Sequence, residues 1–342
     1  MDYNAMLNEA KKTIGPHCKV CPICNGLACR GEIPGPGGKA SGSGFYHSYN
    51  QLKKIKLNMN TLYAKDQDID TSTEIFGKTF DYPIFVAPVG GVKLHYSDVH
   101  DDLSYSQEVI KGCVEANIIG FTGDGLDDAV FKGTIDAIKE SKGFGIPTIK
   151  PWEENLVLEK LRMAEEANSI AVAMDIDAGG LSFLAASGKP VSPKSVDQLK
   201  AIISTTELPF IIKGIMTVKG ALDALEAGAS GIVVSNHGGR VLDETPATID
   251  VLSDIVKAVD KRMKIFIDGG FRTGGDVLKA LAIGADAVLI ARPYAISVYG
   301  GGADGVATYT HKIGQELKDV MTMVGAKRLD EISLENIDTR IK

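Results

Sequence analysis

Two glycine-rich segments are the most informative part of this chain: Val233-Val234-Ser235-Asn236-His237-Gly238-Gly239-Arg240 and Phe266-Ile267-Asp268-Gly269-Gly270-Phe271-Arg272-Thr273-Gly274. Each begins with apolar residues and ends abruptly in glycines and ionisable groups, which is typical of a buried parallel strand that runs into a functional loop. The first segment places an imidazole and a guanidinium three residues apart. The second offers backbone N–H groups and another arginine, which suit an anion such as a phosphate.

The same pattern, a short apolar strand followed by an amphipathic helix, recurs along the chain. The intervening segments carry apolar residues three and four positions apart, and no GxGxxG motif follows the first strand. Eight such alternations predict an α/β fold of the (β/α)8 TIM barrel type and disfavour an open doubly wound sheet. The predicted strands are Ile84–Pro88, Ile118–Thr122, Ile146–Lys150, Ile170–Asp175, Phe210–Gly214, Gly231–Ser235, Lys264–Asp268 and Ala287–Ala291.

Length and composition restrict the class of protein. The chain has 342 residues, 44% of them hydrophobic, which is enough for one large barrel domain. Its formal net charge of -7 disfavours nucleic acid and anionic membranes as partners, because an acidic surface attracts neither. No apolar run is long enough to span a bilayer, and the polar start of the chain lacks a signal-peptide core. We therefore expect a cytoplasmic enzyme that acts on a small molecule.

Four of the five cysteines crowd into one short segment, as Cys18, Cys21, Cys24 and Cys29. A reducing cytoplasm disfavours disulfides, so this spacing leaves three alternatives: an iron–sulfur cluster, a zinc site, or plain thiols packed in a loop. The pattern departs from the ferredoxin run, and the sequence leaves the choice open. The fifth cysteine, Cys113, lies in an amphipathic segment and is predicted to be a small core residue.

The region before the barrel has a different composition. The stretch from Gly15 to Gly44 is dense in glycine, proline and cysteine, and predicts turns without a core pattern. It is a candidate cap or lid. We expect an N-terminal cap and lead-in segment at residues 1–80, the barrel at 81–324 with Val306–Val324 as its closing helix, and a C-terminal tail at 325–342.

Ionisable side chains gather at the carboxyl ends of the predicted strands, where a TIM barrel carries its chemistry. A lone lysine there would most often be a salt-bridged or snorkelling residue. Several charged groups on one rim instead indicate a functional site. The strand ends read Pro88-Val89-Gly90, Thr122-Gly123-Asp124, Lys150-Pro151-Trp152, Asp175-Ile176-Asp177, Lys213-Gly214, Ser235-Asn236-His237, Asp268-Gly269-Gly270 and Ala291-Arg292-Pro293.

These residues resemble a known family, the FMN-dependent 2-hydroxy acid oxidases and dehydrogenases, which includes glycolate oxidase, lactate oxidase and flavocytochrome b2. The resemblance runs from about Ile84 to the C-terminus, and the cysteine-rich N-terminal segment makes the chain an atypical member. Its most specific motifs are Ile212-Lys213-Gly214, Ser235-Asn236-His237-Gly238-Gly239-Arg240 followed by Leu242-Asp243 and Pro246-Ala247-Thr248, and Asp268-Gly269-Gly270 with Arg272 and Gly274.

The resemblance implies an FMN-dependent enzyme that oxidises the CH–OH group of a small 2-hydroxy acid, such as lactate or glycolate, to the 2-oxo acid. His237 is similar to the family's catalytic base, and Asp175 to the aspartate that supports the base. Arg240 is similar to the arginine that binds the substrate carboxylate, a task that suits a planar guanidinium. Lys213 resembles the lysine that faces flavin N1 and the C2 carbonyl, where its charge favours the reduced ring.

The resemblance also implies the cofactor site and a homo-oligomer, a tetramer in the family. The segment after the first strand would pack on the flavin ring, Asp268 would reach the ribityl chain, and the last two barrel loops would bind the phosphate. The residues implied to bind FMN are Pro88, Val89, Gly90, Lys150, Lys213, Ser235, Asp268, Gly269, Gly270, Arg272, Ala291 and Arg292.

The substrate side departs from the family pattern. The family has two tyrosines near the substrate and a second arginine after the fourth strand. Here the third strand ends in Lys150-Pro151-Trp152, where the family has a glutamine and then a tyrosine two positions on. The fourth strand end offers no arginine, and Gly35 to Gly44 contains no tyrosine. We therefore expect a retained flavin site and an altered substrate site in which Trp152 joins His237 and Arg240.

Two other functions remain open on these grounds. An FMN-dependent isomerase or reductase, similar to type 2 isopentenyl diphosphate isomerase, is favoured by the missing tyrosines and opposed by the intact spacing of His237 and Arg240. A non-catalytic flavin or electron-transfer module is favoured by the segment 18–29, where a cluster would accept electrons from reduced flavin in place of oxygen. The particular hydroxy acid, the electron acceptor, and the choice between proton abstraction from the α-carbon and hydride transfer also stay open.

Overall fold

The computed structural model describes residues 1–64, 67–181, 184 and 188–339, and its centre is a barrel of eight short parallel strands. We number these barrel strands β1 (Ile84–Val86), β2 (Phe121–Thr122), β3 (Ile146–Ile149), β4 (Val172–Asp175), β5 (Phe210–Ile215), β6 (Gly231–Val234), β7 (Lys264–Ile267) and β8 (Ala287–Ile290). The sheet runs in the order β1-β8-β7-β6-β5-β4-β3-β2. A parallel bridge between Val86 and Gly120 joins its two edges and closes the barrel. The predicted (β/α)8 fold is therefore confirmed.

Helices follow the strands and surround the barrel, because each presents one apolar face to it. Several begin at side-chain caps; for example, Thr273 and Asp276 form a reciprocal capping box at the start of the helix after β7. The helices are α1 (Tyr3–Thr13), α2 (Ser43–Lys54), a single turn at Val92–His95, α3 (Asp102–Glu115), α4 (Asp128–Glu140), α5 (Glu154–Glu166), α6 (Val196–Ile203), α7 (Val218–Glu226), α8 (Thr248–Val259), α9 (Gly274–Ile283) and α10 (Arg292–Val324).

The barrel interior is filled by aromatic side chains. Phe121 and Phe266 have ring centroids 6.1 Å apart, and Phe85 lies 6.3 Å from Phe266. Since β2 and β7 are not neighbours in the sheet, these rings meet across the interior. A hairpin formed by strands Thr73–Ile75 and Lys78–Phe80 adds Phe80, which lies 5.3 Å from Phe85. Cys113 is fully buried in α3, as predicted.

The two ends of the chain pack together outside the barrel. Strand Lys56–Leu57 pairs antiparallel with Ile337–Asp338, and α1 packs on α10 through the stacked rings of Tyr3 and Tyr309, 6.1 Å apart. The closing helix begins at Arg292, earlier than the predicted Val306, and is kinked at two consecutive glycines. Glycine is a poor helix former, so these glycines interrupt the helical pattern in the sequence. The first half of the helix was therefore not predicted. No helix among the described residues is long and apolar enough to cross a membrane.

The segment between α1 and α2 lacks regular secondary structure. Residues 14–42 contain neither helix nor strand and form a succession of turns. Helix α2 follows directly and buries Phe45 at its start. Two contacts tie the cap to the rim of the barrel: Lys39 N donates to the Gly239 carbonyl at 2.7 Å, and Ser41 Oγ donates to Asp243 Oδ2 at 2.6 Å. The cap therefore lies at the carboxyl ends of the strands.

Candidate active site

A cavity of about 630 Å³ opens at the carboxyl ends of the barrel strands. Its volume lies in the range of small-molecule and cofactor sites. All eight strand ends contribute to it, so it occupies the position in which TIM-barrel enzymes have their active sites. Fourteen of the sequence-predicted site residues line it, namely Pro88, Val89, Gly90, Lys150, Asp175, Lys213, His237, Arg240, Asp268, Gly269, Gly270, Arg272, Ala291 and Arg292.

A buried ion pair forms one part of the cavity wall. The register of β4 and β5 places Asp175 beside Lys213, and Lys213 Nζ lies 2.8 Å from Asp175 Oδ1. Lys150 Nζ reaches the other oxygen, Oδ2, at 3.4 Å. Burial by itself would raise the pKa of Asp175, but the charges of His237, Lys213 and Lys150 hold it well below its usual range. Burial likewise opposes the charge on Lys213, yet Asp175 raises the lysine pKa above its usual range. Both shifts favour the ionised pair.

His237 is oriented by a carboxylate from the neighbouring loop. Its Nδ1 lies 3.0 Å from Asp177 Oδ1 and 3.6 Å from Asp175 Oδ1. Asp177 is thus the nearer partner, whereas the family resemblance gave this role to Asp175. The reason is local: the chain enters a 3-10 turn at Ile176–Gly180, which brings Asp177 back towards the imidazole. Because an ionised carboxylate only accepts hydrogen bonds, Nδ1 is the nitrogen that donates to Asp177, and Nε2 is not engaged by this carboxylate.

The backbone at His237 adopts a strained conformation. His237, Gly238 and Gly239 have φ angles of 56°, 61° and 75°, all in the left-handed region. A non-glycine residue held in this region costs about 1–3 kcal/mol, and such residues cluster at functional sites. Asn236 stabilises the turn: its Oδ1 accepts from Gly239 N at 3.2 Å, and its Nδ2 donates to Thr245 Oγ1 at 3.0 Å. Sequence reasoning assigned no role to Asn236.

Ser235 supports this loop from behind the cavity. It is fully buried and is absent from the cavity lining. Its Oγ donates to Asp268 Oδ2 at 2.8 Å and accepts from His237 N at 3.0 Å. Ser235 therefore links the ends of β6 and β7.

Arg240 joins the barrel rim to the cap. Its Nη1 donates to the carbonyls of Gly35 at 2.7 Å and Gly37 at 3.0 Å, and Nη2 lies 3.5 Å from His95 Nδ1. Burial, followed by the charge of Arg292, lowers the pKa of Arg240 to about 10, so the guanidinium stays protonated at neutral pH.

His95 is a cavity residue that the sequence did not single out. Burial, followed by the charges of Arg240 and Lys150, lowers its pKa to about 3. Its Nδ1 accepts a hydrogen bond from Gly35 N at 3.2 Å, as a neutral imidazole can. His95 lies on the single helical turn Val92–His95, shortly after β1. This position near a strand end is the one feature of the sequence that could have indicated a role in the site.

The region after β7 and β8 carries two arginines and a helix N-terminus. Arg272 Cζ lies 5.7 Å and Arg292 Cζ lies 3.7 Å from the ring centroid of Phe45. Helix α10 begins here without a side-chain cap, and because Pro293 has no N–H group, the backbone N–H groups that its first turn could offer an anion are those of Arg292 and Tyr294. A Cβ at Gly270 would lie 2.7 Å from the Ser48 carbonyl oxygen, so only glycine allows this close approach of α2.

Trp152 does not reach the cavity, although the sequence suggested a substrate contact. The side chain is 1% exposed, and its Nε1 donates to Asp124 Oδ2 at 2.6 Å. Asp124 lines the cavity and also accepts from Lys160 Nζ at 2.8 Å. The indole is therefore a core group that holds Asp124 in place.

The cavity also contains polar atoms without partners. Asp268 Oδ1 and Thr148 Oγ1 are buried, and neither has a hydrogen-bond partner among the described residues. Buried polar groups are almost always paired, so these atoms indicate a polar ligand. Together with the lysines, the arginines and the open helix N-terminus, they suit a phosphate-bearing cofactor with a polar ring. The fold and site thus define a barrel that binds an anionic cofactor.

Comparison with known proteins identifies the family. A sequence model described as FMN-dependent dehydrogenase matches residues 36–182 and 184–339. The chain belongs to the FMN-dependent dehydrogenase family. It is 30% identical over 305 residues to a peroxisomal (S)-2-hydroxyacid oxidase of Arabidopsis thaliana, covering 79% of this chain and 82% of that one. It is 31% identical over 289 residues to 4-hydroxymandelate oxidase of Amycolatopsis orientalis, covering 76% and 80%.

Solved structures give the same result. The fold is similar to a mandelate oxidase variant with 2-hydroxy-phenylacetamide, with a TM-score of 0.81, 25% identity and coverage of 99% and 98% of the two chains. It is also similar to a mandelate oxidase variant with an FMN monooxide adduct, with a TM-score of 0.74, 28% identity and coverage of 90% and 94%. The predicted family, its FMN cofactor and its oxidoreductase class are therefore confirmed.

Proposed function

We propose that the protein oxidises a small 2-hydroxy acid to the 2-oxo acid, with His237 as the base and Arg240 as the carboxylate-binding group. The observation that carries this proposal is the orientation of His237. Its imidazole is fixed through Nδ1 by Asp177, 3.0 Å away, and the residue lines the same cavity as Arg240 and Lys213. A base, a carboxylate-binding cation and a cofactor-facing cation are the groups that this oxidation needs.

His237 would take up the proton that the substrate loses. With Nδ1 donating to Asp177, Nε2 is the free basic atom, and the aspartate stabilises the imidazolium that forms. The proton would come from the hydroxyl group or from the α-carbon. The strained backbone and the support from Asn236 and Ser235 keep the ring in one orientation, which favours a near-attack geometry.

Arg240 retains hydrogen-bonding capacity for a carboxylate. Its Nη1 is used by the carbonyls of Gly35 and Gly37. The other edge of the guanidinium, formed by Nε and Nη2, matches a carboxylate in a bidentate arrangement. One side chain would therefore bind the substrate and hold the cap at the same time.

FMN supplies the two-electron acceptor when it is bound. Lys213 and Lys150 would face it with positive charge that Asp175 keeps in place. Pro88, Val89 and Gly90 would contact the ring, Asp268 and Thr148 would use their unpaired oxygens on polar groups, and Gly269, Gly270, Ala291 and the two arginines Arg272 and Arg292 would hold the phosphate.

The cavity lining favours a substrate with an apolar side chain. Besides the charged groups, the lining includes apolar residues from the cap and from several barrel loops, namely Ile33, Pro34, Leu94, Leu126, Val130, Leu181 and Val241. These positions supply apolar contact that a substrate as small as glycolate would leave unused. The oxidase names of its relatives and the pairing of His237 with Arg240 favour oxidation over the isomerase alternative.

A product assay tests this function. FMN-loaded protein is incubated with an artificial electron acceptor and a series of 2-hydroxy acids of increasing side-chain length, and the 2-oxo acid is quantified. We expect product formation with kcat/KM rising from glycolate towards larger apolar side chains. Failure to form a 2-oxo acid from any member of the series would reject the proposal.

We further propose that the enzyme is a cytoplasmic homo-oligomer. The five cysteines are all unpaired, which suits a reducing compartment. The homo-oligomer rests on the family resemblance, and light scattering on the purified protein would test it: a monomeric mass would reject it.

A further inference from the structure

The cysteine segment has no part in the function proposed above, yet the fold assembles it into a site. The four free thiols of Cys18, Cys21, Cys24 and Cys29 line one small cavity of about 30 Å³. One water molecule needs about 10–15 Å³, so the cavity has room for more than one water molecule. Four thiols around one enclosed space are the arrangement of a thiolate-ligated metal centre.

The four sulfur atoms are not gathered as closely as a single tetrahedral ion requires. A tetrahedral zinc site, with Zn–S bonds of about 2.3 Å, brings its sulfur atoms to roughly 3.8 Å from one another. Among the described residues, Asp175, Asp177 and His237 form a group whose possible metal-binding atoms all lie within 4.8 Å of one another. No three of the cysteine side chains meet this criterion. The four thiols are therefore spread more widely than the ligands of one tetrahedral zinc ion.

The order of the cysteines follows part of an iron–sulfur ligand pattern. The first three follow the C-x2-C-x2-C spacing found in bacterial ferredoxins, and the fourth follows after four residues. The loop is braced internally, because Lys19 Nζ donates to the Ala28 carbonyl at 3.1 Å. It also packs tightly on the rest of the cap: a Cβ at Gly37 would lie 2.0 Å from the Cys29 carbonyl oxygen, so only glycine fits there.

Two arginines place positive charge beside the cysteine segment. Arg272 Nε donates to the Cys24 carbonyl at 2.9 Å, and its Nη2 lies 3.5 Å from Cys24 Sγ. Arg292 lines the cavity as well. Hydrogen bonds to ligand sulfurs stabilise iron–sulfur clusters and tune them. Tyr96 and Ile296 add apolar surface to the cavity lining.

We propose that Cys18, Cys21, Cys24 and Cys29 bind a [4Fe–4S] cluster in the cap. The site shares a wall with the FMN cavity, because Pro36, Tyr96 and Arg292 line both. The cluster would therefore lie beside the proposed phosphate site of the cofactor. It would also stabilise the cysteine segment of the cap, which Arg272 contacts at Cys24.

Metal analysis of the anaerobically purified full-length protein tests this inference independently of any activity. Iron, acid-labile sulfide and zinc are quantified per chain, and the dithionite-reduced protein is examined by electron paramagnetic resonance. We expect about four irons and about four sulfides per chain, and a paramagnetic signal from the reduced cluster. About one zinc per chain without sulfide would overturn the proposal, and so would four titratable thiols without iron after anaerobic reconstitution with iron and sulfide.

Cysteine variants assign the ligands. Cys21→Ser and Cys24→Ser should lower the iron content at least tenfold, whereas Cys113→Ala, which removes the buried cysteine of α3, should leave it unchanged. Equal iron content in all three variants would overturn the ligand assignment. If a ligand variant does not fold, the metal content of the unmodified protein and of Cys113→Ala still decides the presence of the cluster.

Discussion

His237 and Asp177, sixty positions apart in the sequence, are joined by a hydrogen bond of 3.0 Å between Nδ1 and Oδ1. Asp175, only two residues earlier, instead pairs with Lys213 at 2.8 Å and Lys150 at 3.4 Å. Two neighbouring carboxylates therefore have separate tasks. Asp177 orients His237, the base of the proposed reaction, and Asp175 compensates the lysine charges at the cavity wall.

Asparagine substitutions at the two positions should separate these tasks. Asp177→Asn removes the charge that stabilises the imidazolium, so the rate of flavin reduction should fall, by at most the roughly hundred- to ten-thousand-fold of a complete general-base effect. Asp175→Asn leaves the charges of two lysines, one of them buried, without their carboxylate partner. Because breaking a buried ion pair costs about 3–5 kcal/mol, the free energy of unfolding should fall by about this amount. Rapid-mixing kinetics and denaturant unfolding measure the two effects. If Asp175→Asn instead reduced the flavin slowly but kept its full stability, Asp175 would be the residue that orients His237.

Arg240→Lys should weaken binding of a carboxylate inhibitor to the FMN-loaded enzyme. An ammonium group cannot provide the two-point contact, and loss of a charged hydrogen bond costs about 1.5–3 kcal/mol, which corresponds to roughly 10- to 100-fold in Kd. The variant also lacks one of the two cap contacts made by Nη1. Inhibitor titration by absorbance gives the Kd, and a neutral amide analogue of the same shape serves as the control. Equal losses for acid and amide would indicate a loosened cap and no carboxylate contact.

Arg272→Ala should weaken binding of FMN but not of riboflavin. The two flavins differ only in the phosphate, so a phosphate contact predicts a selective loss of about 10- to 100-fold in affinity for FMN. Fluorescence titration of the apoprotein with each flavin measures both values. Similar losses for the two flavins would show that Arg272 acts on the structure of the site as a whole, for example through its contacts with Cys24.

Protein stability should decrease as the pH falls below about 6.5, partly because of His95. Burial and the nearby charges lower its folded-state pKa to about 3, whereas the unfolded chain takes up a proton near pH 6.5. The unfolded state therefore binds more protons between these values, and the stabilising contribution is complete above pH 6.5 and is lost towards pH 3. At about 1.36 kcal/mol per pH unit, the contribution lost by pH 5 is about 2 kcal/mol. His95→Leu should show a flatter pH dependence in urea unfolding, and an unchanged slope would contradict the buried neutral imidazole.

The sequence predicts the fold well because the evidence is local and repeated. Eight apolar strands separated by helices with one apolar face leave few architectures other than a closed barrel, and the strand ends then converge by geometry. The glycine motifs at Asp268-Gly269-Gly270 and after Asn236 identify the loops, since only glycine permits their backbone conformations or close approaches. The glycine motifs are visible in the sequence itself, although the close approaches that require them are made to distant residues of α2.

The parts that the sequence could not predict depend on tertiary detail. The 3-10 turn after β4 determines that Asp177 lies nearer to His237 than Asp175 does. Trp152 is buried because Asp124 and Lys160 form a polar core group beneath the rim, which no periodicity indicates. His95 reaches the cavity on a single helical turn, too short to leave a pattern.

The central claim, that His237 initiates oxidation of a 2-hydroxy acid by bound FMN, is tested most directly by anaerobic titration. The FMN-loaded enzyme is mixed with lactate, glycolate and longer 2-hydroxy acids while the flavin absorbance is recorded. The unmodified enzyme should be bleached by at least one of them, and His237→Ala, with FMN still bound, should react roughly a hundred- to ten-thousand-fold more slowly. Two results would contradict the claim. In the first, dithionite bleaches the bound flavin but none of the 2-hydroxy acids does. In the second, the His237→Ala variant reacts as fast as the unmodified enzyme.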